Sequence, residues 1–322
     1  MASTQNLKTT QRADDPNIID LGIGHPQNKF LPIEIIQKAA QALFTAGDPY
    51  FLQYGPRQGD GYLRLSLANF LGGQYRLPVN PDQLFITNGA SMGLALACSL
   101  FSKPGDTILV EEPTYFLALK IFNDCRLKPV SIPVDQNGMD LDVLELTLKQ
   151  HRPSLLYTIP TFQNPSGVTL SEEKRIRLVE LSKEYNFIII ADEVYHFLDY
   201  SVASPKPLAS WVNHGNVISL GSFSKILAPG LRTGWIHTNE KYIHTLKESG
   251  LLDSGGGMNP FTSAILRDVI ENGDLEANIQ NLRRSYAARL QALDRSLRQY
   301  LPSASYQIPQ GGYFFWVRLP GI

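Results

Sequence analysis

The sequence predicts an α/β protein with a mainly parallel, doubly wound β-sheet. Short apolar runs alternate with helical patterns from residue 84 onward. The runs are LFIT (84–87), TILVE (107–111), LLYTI (155–159), FIIIA (187–191) and VISL (217–220). Runs that are apolar at every position fit strands buried on both faces, and parallel strands need helical crossovers between them.

Helical patterns fill the segments around these strands. Apolar residues recur at helical spacing in residues 33–46, 90–102, 114–123, 139–150 and 171–185. Residues 17–31, by contrast, predict an extended arm, because glycine and proline punctuate them.

The sequence pattern changes after residue 240, where apolar runs no longer alternate with helical segments. Residues 261–300 predict charged helices, and residues 304–320 predict a hairpin that turns at Gly311-Gly312. We therefore expect three parts. They are an N-terminal arm with part of a small domain (1–45), a large domain (46–240) and a smaller α+β domain (241–322).

Composition excludes several classes of protein. The 322 residues are 43% hydrophobic, which is ordinary for a globular protein, and the net charge of −1 gives no reason to expect nucleic acid or an anionic membrane. No apolar run is long enough for a membrane span, and the first residues lack a signal-peptide core, so we expect a cytoplasmic protein. Two cysteines, Cys98 and Cys125, exclude a disulfide framework, and the six histidines show no metal-binding spacing.

The stretch SFSKILAPGLRTGW (222–235) concentrates cations and hydroxyls directly after the last predicted strand. Open α/β sheets bind their ligands at the carboxyl ends of strands, so Lys225 lies where a ligand is expected. A lysine amine can form a Schiff base with a carbonyl cofactor, while Arg232, Ser222 and Ser224 can hold a phosphate. Taken alone, Ser-x-Ser-Lys is also typical of a solvated loop.

A second phosphate-binding feature follows the first strand. Gly89, Ala90 and Ser91 open a predicted helix, where backbone amides and the helix dipole favour an anion. The alternative is an ordinary helix cap by Asn88 or Ser91.

Two more strand ends carry side chains suited to an aromatic cofactor. Tyr115 can stack on a flat ring, although core packing is the simpler alternative. Asn164 can donate to a ring oxygen, although Asn164-Pro165 is also a turn dipeptide.

Asp192 ends an entirely apolar strand, where a carboxylate is costly unless it has a partner. A protonated ring nitrogen is such a partner, and Tyr195 can hydrogen-bond the ring oxygen. The alternative for Asp192 is a helix cap.

Together these segments resemble the fold-type I enzymes that depend on pyridoxal 5'-phosphate (PLP), and among them the class I/II aminotransferases. The resemblance covers about residues 20–320. It is close to the branch with 2-aminoadipate and aromatic aminotransferases and the effector domains of MocR-type regulators. It implies the PLP transferase fold with Lys225 as the Schiff-base lysine, Asp192 at the pyridine nitrogen, Asn164 and Tyr195 at the ring oxygen, and Tyr115 on the ring.

The same resemblance implies the remaining contacts. Gly89, Ala90, Ser91, Ser222, Ser224 and Arg232 would surround the phosphate. Tyr54 would reach the phosphate of a neighbouring subunit, which implies a homodimer with shared active sites. Gly24, in LGIGHP, matches the glycine at the substrate carboxylate.

The sequence departs from the family pattern at its end. The family continues past a segment like QGGYFFWVRLP with further strands, a final helix and the arginine that binds the substrate carboxylate. This sequence ends at Ile322, so we expect an incomplete small domain and weak substrate binding.

The expected function is transamination between an amino acid and a 2-oxo acid by a ping-pong mechanism. One alternative is a PLP-dependent lyase on the same fold. Another is a catalytically silent PLP-binding remnant or effector domain.

Overall fold

The computed structural model describes residues 17, 21–22, 24–200 and 202–321. Its helices are α1 (Ile33–Ala46), α2 (Gly61–Tyr75), α3 (Ala90–Phe101), α4 (Phe116–Asp124), α5 (Leu141–Gln150), α6 (Glu172–Glu184), α7 (Glu240–Lys247), α8 (Gly250–Gly255), α9 (Pro260–Glu271) and α10 (Asp274–Tyr300). Its strands are β1 (Leu84–Thr87), β2 (Thr107–Glu112), β3 (Lys128–Asp135), β4 (Gly138–Met139), β5 (Leu155–Thr158), β6 (Ile188–Asp192), β7 (Val217–Ser222), β8 (Gly234–Thr238), β9 (Ser305–Tyr306) and β10 (Val317–Arg318).

The main sheet has the strand order β1-β8-β7-β6-β5-β2-β3-β4. Strands β3, β2, β5, β6 and β7 pair in parallel, while β8 lies antiparallel between β7 and β1. The prediction of a mainly parallel sheet is therefore confirmed. Because β1 runs in the same direction as the parallel strands, the carboxyl ends of β1, β2, β5, β6 and β7 meet at one edge.

The sheet is buried on both faces. Leu109, Leu156 and Ile189 belong to one apolar cluster, while their strand neighbours Tyr157 and Ile190 belong to the other. Alternate side chains of a strand point to opposite faces, so each strand contributes to both clusters. This double burial explains why the predicted strands were apolar at every position.

The sequence did not predict β3 or β8. Most of β3 lies partly or fully exposed near the edge of the sheet, so it lacks a continuous apolar run. Strand β8 is buried but contains His237 and Thr238, and the Thr238 hydroxyl is satisfied by donating to the Val217 carbonyl at 2.7 Å. Such long-range compensation leaves no local signal in the sequence.

The predicted turn at Gly311-Gly312 is wrong. Strands β9 and β10 do pair, but residues 307–316 separate them as a long loop. The Gly312 amide donates to the Leu198 carbonyl at 3.0 Å, and Gly311 bridges to Asp199. The two glycines therefore allow close contact with the chain after β6, because a side chain at Gly311 would collide with that backbone.

No helix in the described ranges combines enough length with enough apolar character to span a bilayer.

Candidate active site

A cavity of about 450 Å³ opens at the carboxyl edge of the sheet. It brings together most of the residues that the sequence singled out. The predicted residues that line it are Gly24, Ala90, Ser91, Tyr115, Asn164, Asp192, Tyr195, Ser222, Ser224, Lys225 and Arg232. They come from the ends of five strands and from the N-terminal arm, as ligand binding at this edge requires.

One end of the cavity is built around the start of α3. Gly89 precedes the helix with a φ of +84°, and no side chain caps the amides that follow it. The predicted alternative, a cap by Asn88 or Ser91, is therefore not present. The exposed amides and the helix dipole make this end attractive to an anion.

Arg232 closes the same end of the cavity. Its guanidinium donates to the carbonyls of Asn88 at 3.3 Å and Pro229 at 3.2 Å. A Cβ at Gly89 would lie 2.9 Å from Nη2 of Arg232, so only glycine leaves room for this approach. The Ser222 hydroxyl, which lines the same cavity, accepts from the Ser224 amide at 3.1 Å, and this bond fixes the Ser222 side chain.

Asp192 lies buried at the opposite end. Its Oδ2 accepts from the Tyr157 hydroxyl at 2.8 Å, whereas Oδ1 is buried without a hydrogen-bond partner among the described residues. Burial raises the pKa of this carboxyl to about 6, although the Tyr157 hydroxyl, the nearby Val194 amide and the Lys225 charge act in the opposite direction. The Val194 amide does not reach either oxygen with the geometry of a full hydrogen bond. Asp192 does not cap a helix, because residues 194–197 form a turn.

Lys225 projects between these two ends. Its Nζ donates to the Gly24 carbonyl at 2.6 Å. Burial lowers the pKa of the amine to about 8, while the Asp192 charge opposes that shift. About a tenth of the amine is therefore uncharged at pH 7, which is far more than for an exposed lysine.

Three further side chains shape the middle of the cavity. Tyr195 is buried and hydrogen-bonds Asn164, and burial raises the pKa of its phenol. Tyr115 is half-buried at the start of α4, and burial raises its pKa as well. Both phenols therefore stay neutral and can act as donors.

Two predicted residues do not line the cavity. Gly89 lies directly behind it and supports Arg232, as described above. Tyr54 lies elsewhere on the surface, with 84% of its side chain exposed.

The sequence reasoning missed a buried network behind the cavity. Glu111 accepts from the Thr158 hydroxyl at 2.7 Å and from the Ile159 amide at 3.0 Å. Gln163 donates to Glu111 at 3.3 Å and to the Pro113 carbonyl at 2.6 Å. These bonds join the loop that carries Tyr115 to the loop that carries Asn164. A glutamate at the end of an apolar strand was the available signal, but its partners lie about 50 positions away.

The missed residues also include Tyr157, Tyr313 and Phe314. Tyr157 was visible as a lone hydroxyl in the apolar run LLYTI. Tyr313 and Phe314 reach the site from the far end of the chain, and Phe314 lines the cavity.

Comparison with known proteins agrees with this geometry. Residues 16–322 match the family model described as aminotransferase class I and II. The chain is 38% identical to aromatic-amino-acid aminotransferase 1 of Thermococcus litoralis, over 98% of this chain and 76% of that protein.

Solved structures give the same picture. A multiple substrate aminotransferase from Thermococcus profundus superposes with a TM-score of 0.89 at 35% identity, covering 96% of this chain and 78% of that one. The α-aminoadipate aminotransferase LysN of Thermus thermophilus, complexed with N-(5'-phosphopyridoxyl)-L-leucine, gives a TM-score of 0.84 at 29% identity, covering 93% of this chain and 76% of that one. The chain therefore belongs to the class I and II aminotransferases, PLP-dependent enzymes that transfer amino groups between amino acids and 2-oxo acids (EC 2.6.1).

Proposed function

We propose that this cavity holds PLP with its phosphate at the start of α3 and its ring nitrogen at Asp192. The observation that carries the proposal is the buried Oδ1 of Asp192, which has no hydrogen-bond partner in the described part of the chain. A buried carboxylate in this state needs a cationic donor, and a protonated pyridine nitrogen is one. The uncapped helix start and Arg232 suit a phosphate dianion in the same cavity.

When bound, PLP supplies a carbonyl carbon that bonds amines and a ring that accepts electrons from the substrate α-carbon. Asp192 keeps a proton on the ring nitrogen. Asn164 and Tyr195 donate to the ring oxygen, and Tyr115 packs on the ring face. Arg232 and the backbone amides of Ala90 and Ser91 anchor the phosphate.

Lys225 has two roles in this scheme. Its amine would bond the carbonyl carbon of the cofactor with loss of water, and once displaced by the substrate amine it would take a proton from the substrate α-carbon. Both roles require an uncharged amine, and the pKa of about 8 makes that form accessible near neutral pH. The amine lies beside Gly24, where the backbone of the arm can face the carboxylate of a substrate.

We further propose substrates with large apolar or aromatic side chains. The mouth of the cavity carries Phe116 and Leu117, which are 65% and 39% exposed, and Phe314 and Ile159 line it further in. An apolar substrate side chain can bury surface against these residues, whereas a polar side chain would find few hydrogen-bond partners there. An aromatic substrate also fits the name of the Thermococcus litoralis relative.

The last part of the proposal is a homodimer with shared sites. Tyr54 projects into solvent together with Tyr50 and Leu52, which are 80% and 67% exposed. An exposed apolar group of this kind favours contact with another chain. In a two-fold dimer, Tyr54 would then serve the phosphate end of the partner's cavity.

Product analysis tests the reaction. The 322-residue chain is incubated with PLP, L-phenylalanine and 2-oxoglutarate, and then with L-alanine or L-aspartate in place of phenylalanine. We expect phenylpyruvate and glutamate in equal amounts, with slower turnover of the two smaller donors. Ammonia without glutamate would support a lyase, and bound PLP without any product would support a catalytically silent domain. A preference for aspartate would overturn the proposed substrate class.

A further inference from the structure

The Lys225 amine lies between two tyrosine rings. Its Nζ is 5.2 Å from the centroid of the Tyr313 ring and 6.0 Å from that of Tyr195. The centroids of these two rings are 5.7 Å apart, with 47° between their planes. An ammonium group near an aromatic face is stabilised by the ring quadrupole, and more strongly where water is excluded. The nearer ring, Tyr313, has no role in the mechanism above.

The Tyr313 hydroxyl contacts the main chain of the same lysine. It donates to the Lys225 carbonyl at 3.4 Å and lies 3.0 Å from the Tyr286 hydroxyl on α10. The Tyr286 and Tyr313 rings also pack edge to face, with centroids 5.1 Å apart. Tyr313 thus contacts both the amine and the backbone of Lys225, and α10 supports it from behind.

The Gly24 carbonyl is a third contact of the Lys225 amine. The Lys225 Nζ donates to it at 2.6 Å. Gly24 is itself confined by Phe314, because a Cβ at position 24 would lie 2.8 Å from Cζ of that ring. One carbonyl and two aromatic faces therefore define a place for the amine when it carries a proton.

We propose that Tyr313 is a positioning residue for Lys225, whose ring stabilises the protonated amine. The inference rests on the proposed role of Lys225. An amine that takes a proton from the substrate becomes a cation, and a cation without a partner would turn toward solvent. The Tyr313 ring keeps it beside the reacting atoms.

The titratable residues around the amine include Asp192, Tyr195 and Tyr313, and His25 and Tyr115 line the same cavity. Asp192 favours its charged form, and burial raises the pKa values of the Tyr195 and Tyr313 phenols, so both rings remain neutral. Arg232 lines the same cavity but directs its guanidinium at backbone carbonyls. Loss of the Tyr313 ring would therefore remove a stabilising contact of the ammonium form and lower the pKa of Lys225.

Competitive acetylation of the cofactor-free, 322-residue chain measures this effect. Peptide mass spectrometry gives the labelling rate of Lys225 relative to the exposed Lys149 between pH 6 and pH 10. Tyr313→Met replaces the ring by a flexible apolar side chain, whereas the matched control Tyr313→Phe keeps the ring and loses the hydroxyl. We expect Tyr313→Met to move the midpoint of the Lys225 profile to lower pH, with about three- to tenfold faster labelling at pH 7. The midpoint of Tyr313→Phe should stay in place.

Two results would overturn the proposal. A higher plateau with an unchanged midpoint in Tyr313→Met would mean that the ring merely covers the lysine. An equal shift in Tyr313→Phe would assign the effect to the hydroxyl instead of the ring. Tyr313→Leu is the second ring-free variant if Tyr313→Met does not fold. Since no cofactor or turnover is involved, the result is independent of whether Lys225 bonds PLP.

Discussion

Asp192→Asn should make the cofactor-free protein more stable while it removes activity. The Asp192 carboxyl is buried, with a pKa of about 6 in place of the ordinary 3.8. The difference of about two pKa values corresponds to about 3 kcal/mol that the charged carboxylate costs the folded state. An asparagine can still accept from Tyr157, and it places a neutral amide where Oδ1 lacks a partner.

The pH dependence of the stability follows from the direction in which the pKa of Asp192 is shifted. Because the folded pKa lies above the unfolded one, the folded protein binds this proton more tightly, and stability falls as the pH rises from about 4 through about 6. We therefore expect Asp192→Asn to exceed the wild type by about 1–3 kcal/mol at pH 8 and to approach it near pH 4. Saturating PLP should stabilise the wild type more than the variant, since the ring nitrogen supplies the missing partner.

Urea unfolding followed by tryptophan fluorescence measures the difference at each pH. The matched control is Asp124→Asn, since Asp124 is exposed at the end of α4 and its change should stay within about 0.5 kcal/mol at all pH values. If Asp192→Asn is no more stable than the wild type at pH 8, or if the gap does not grow from pH 5 to pH 8, the carboxylate is not strained by burial.

Other predictions address the anchoring, assembly and support of the site. Arg232→Ala should weaken PLP binding by roughly 10- to 100-fold and leave the half-reaction rate at saturating PLP nearly unchanged, as a spectral titration will test. Lys225→Ala and Tyr54→Phe subunits, mixed and refolded, should regain about a quarter of wild-type activity if sites are shared, and a monomer in sedimentation would contradict this. Glu111→Ala should cost about 2–4 kcal/mol in urea unfolding, because it leaves the buried Ile159 amide without an acceptor, and unchanged stability would refute that role.

Local sequence predicted the parts of the fold that local physics determines. Strands buried on both faces were visible as apolar runs, whereas the partly exposed β3 and the polar β8 were not. The turn at Gly311-Gly312 was wrong because these glycines serve a contact with Leu198, more than 100 residues earlier. Fold class, family, cofactor and transamination are confirmed by the comparisons. The domain limits and the cytoplasmic location stay predictions.

Some residues of the candidate site could likewise be predicted from local sequence, and others could not. Lys225 and Asp192 were predictable because Asp192 ends one strand and Lys225 comes three residues after another, and both strand ends face the ligand edge. Tyr157, Glu111 and Tyr313 were not, because they act through partners that only the folded chain brings close. Their roles, like those of the predicted residues, await the measurements described above.

The position of the covalent bond to PLP tests the assignment of this cavity as the active site most directly. Borohydride reduction of the 322-residue chain with PLP, followed by peptide mapping, should place the stable adduct on the peptide that contains Lys225. Lys225→Ala should fold, keep a weaker noncovalent affinity for PLP and show neither adduct nor turnover. An adduct on another lysine of the wild type, or an unchanged adduct in Lys225→Ala, would contradict the assignment of this cavity as the active site.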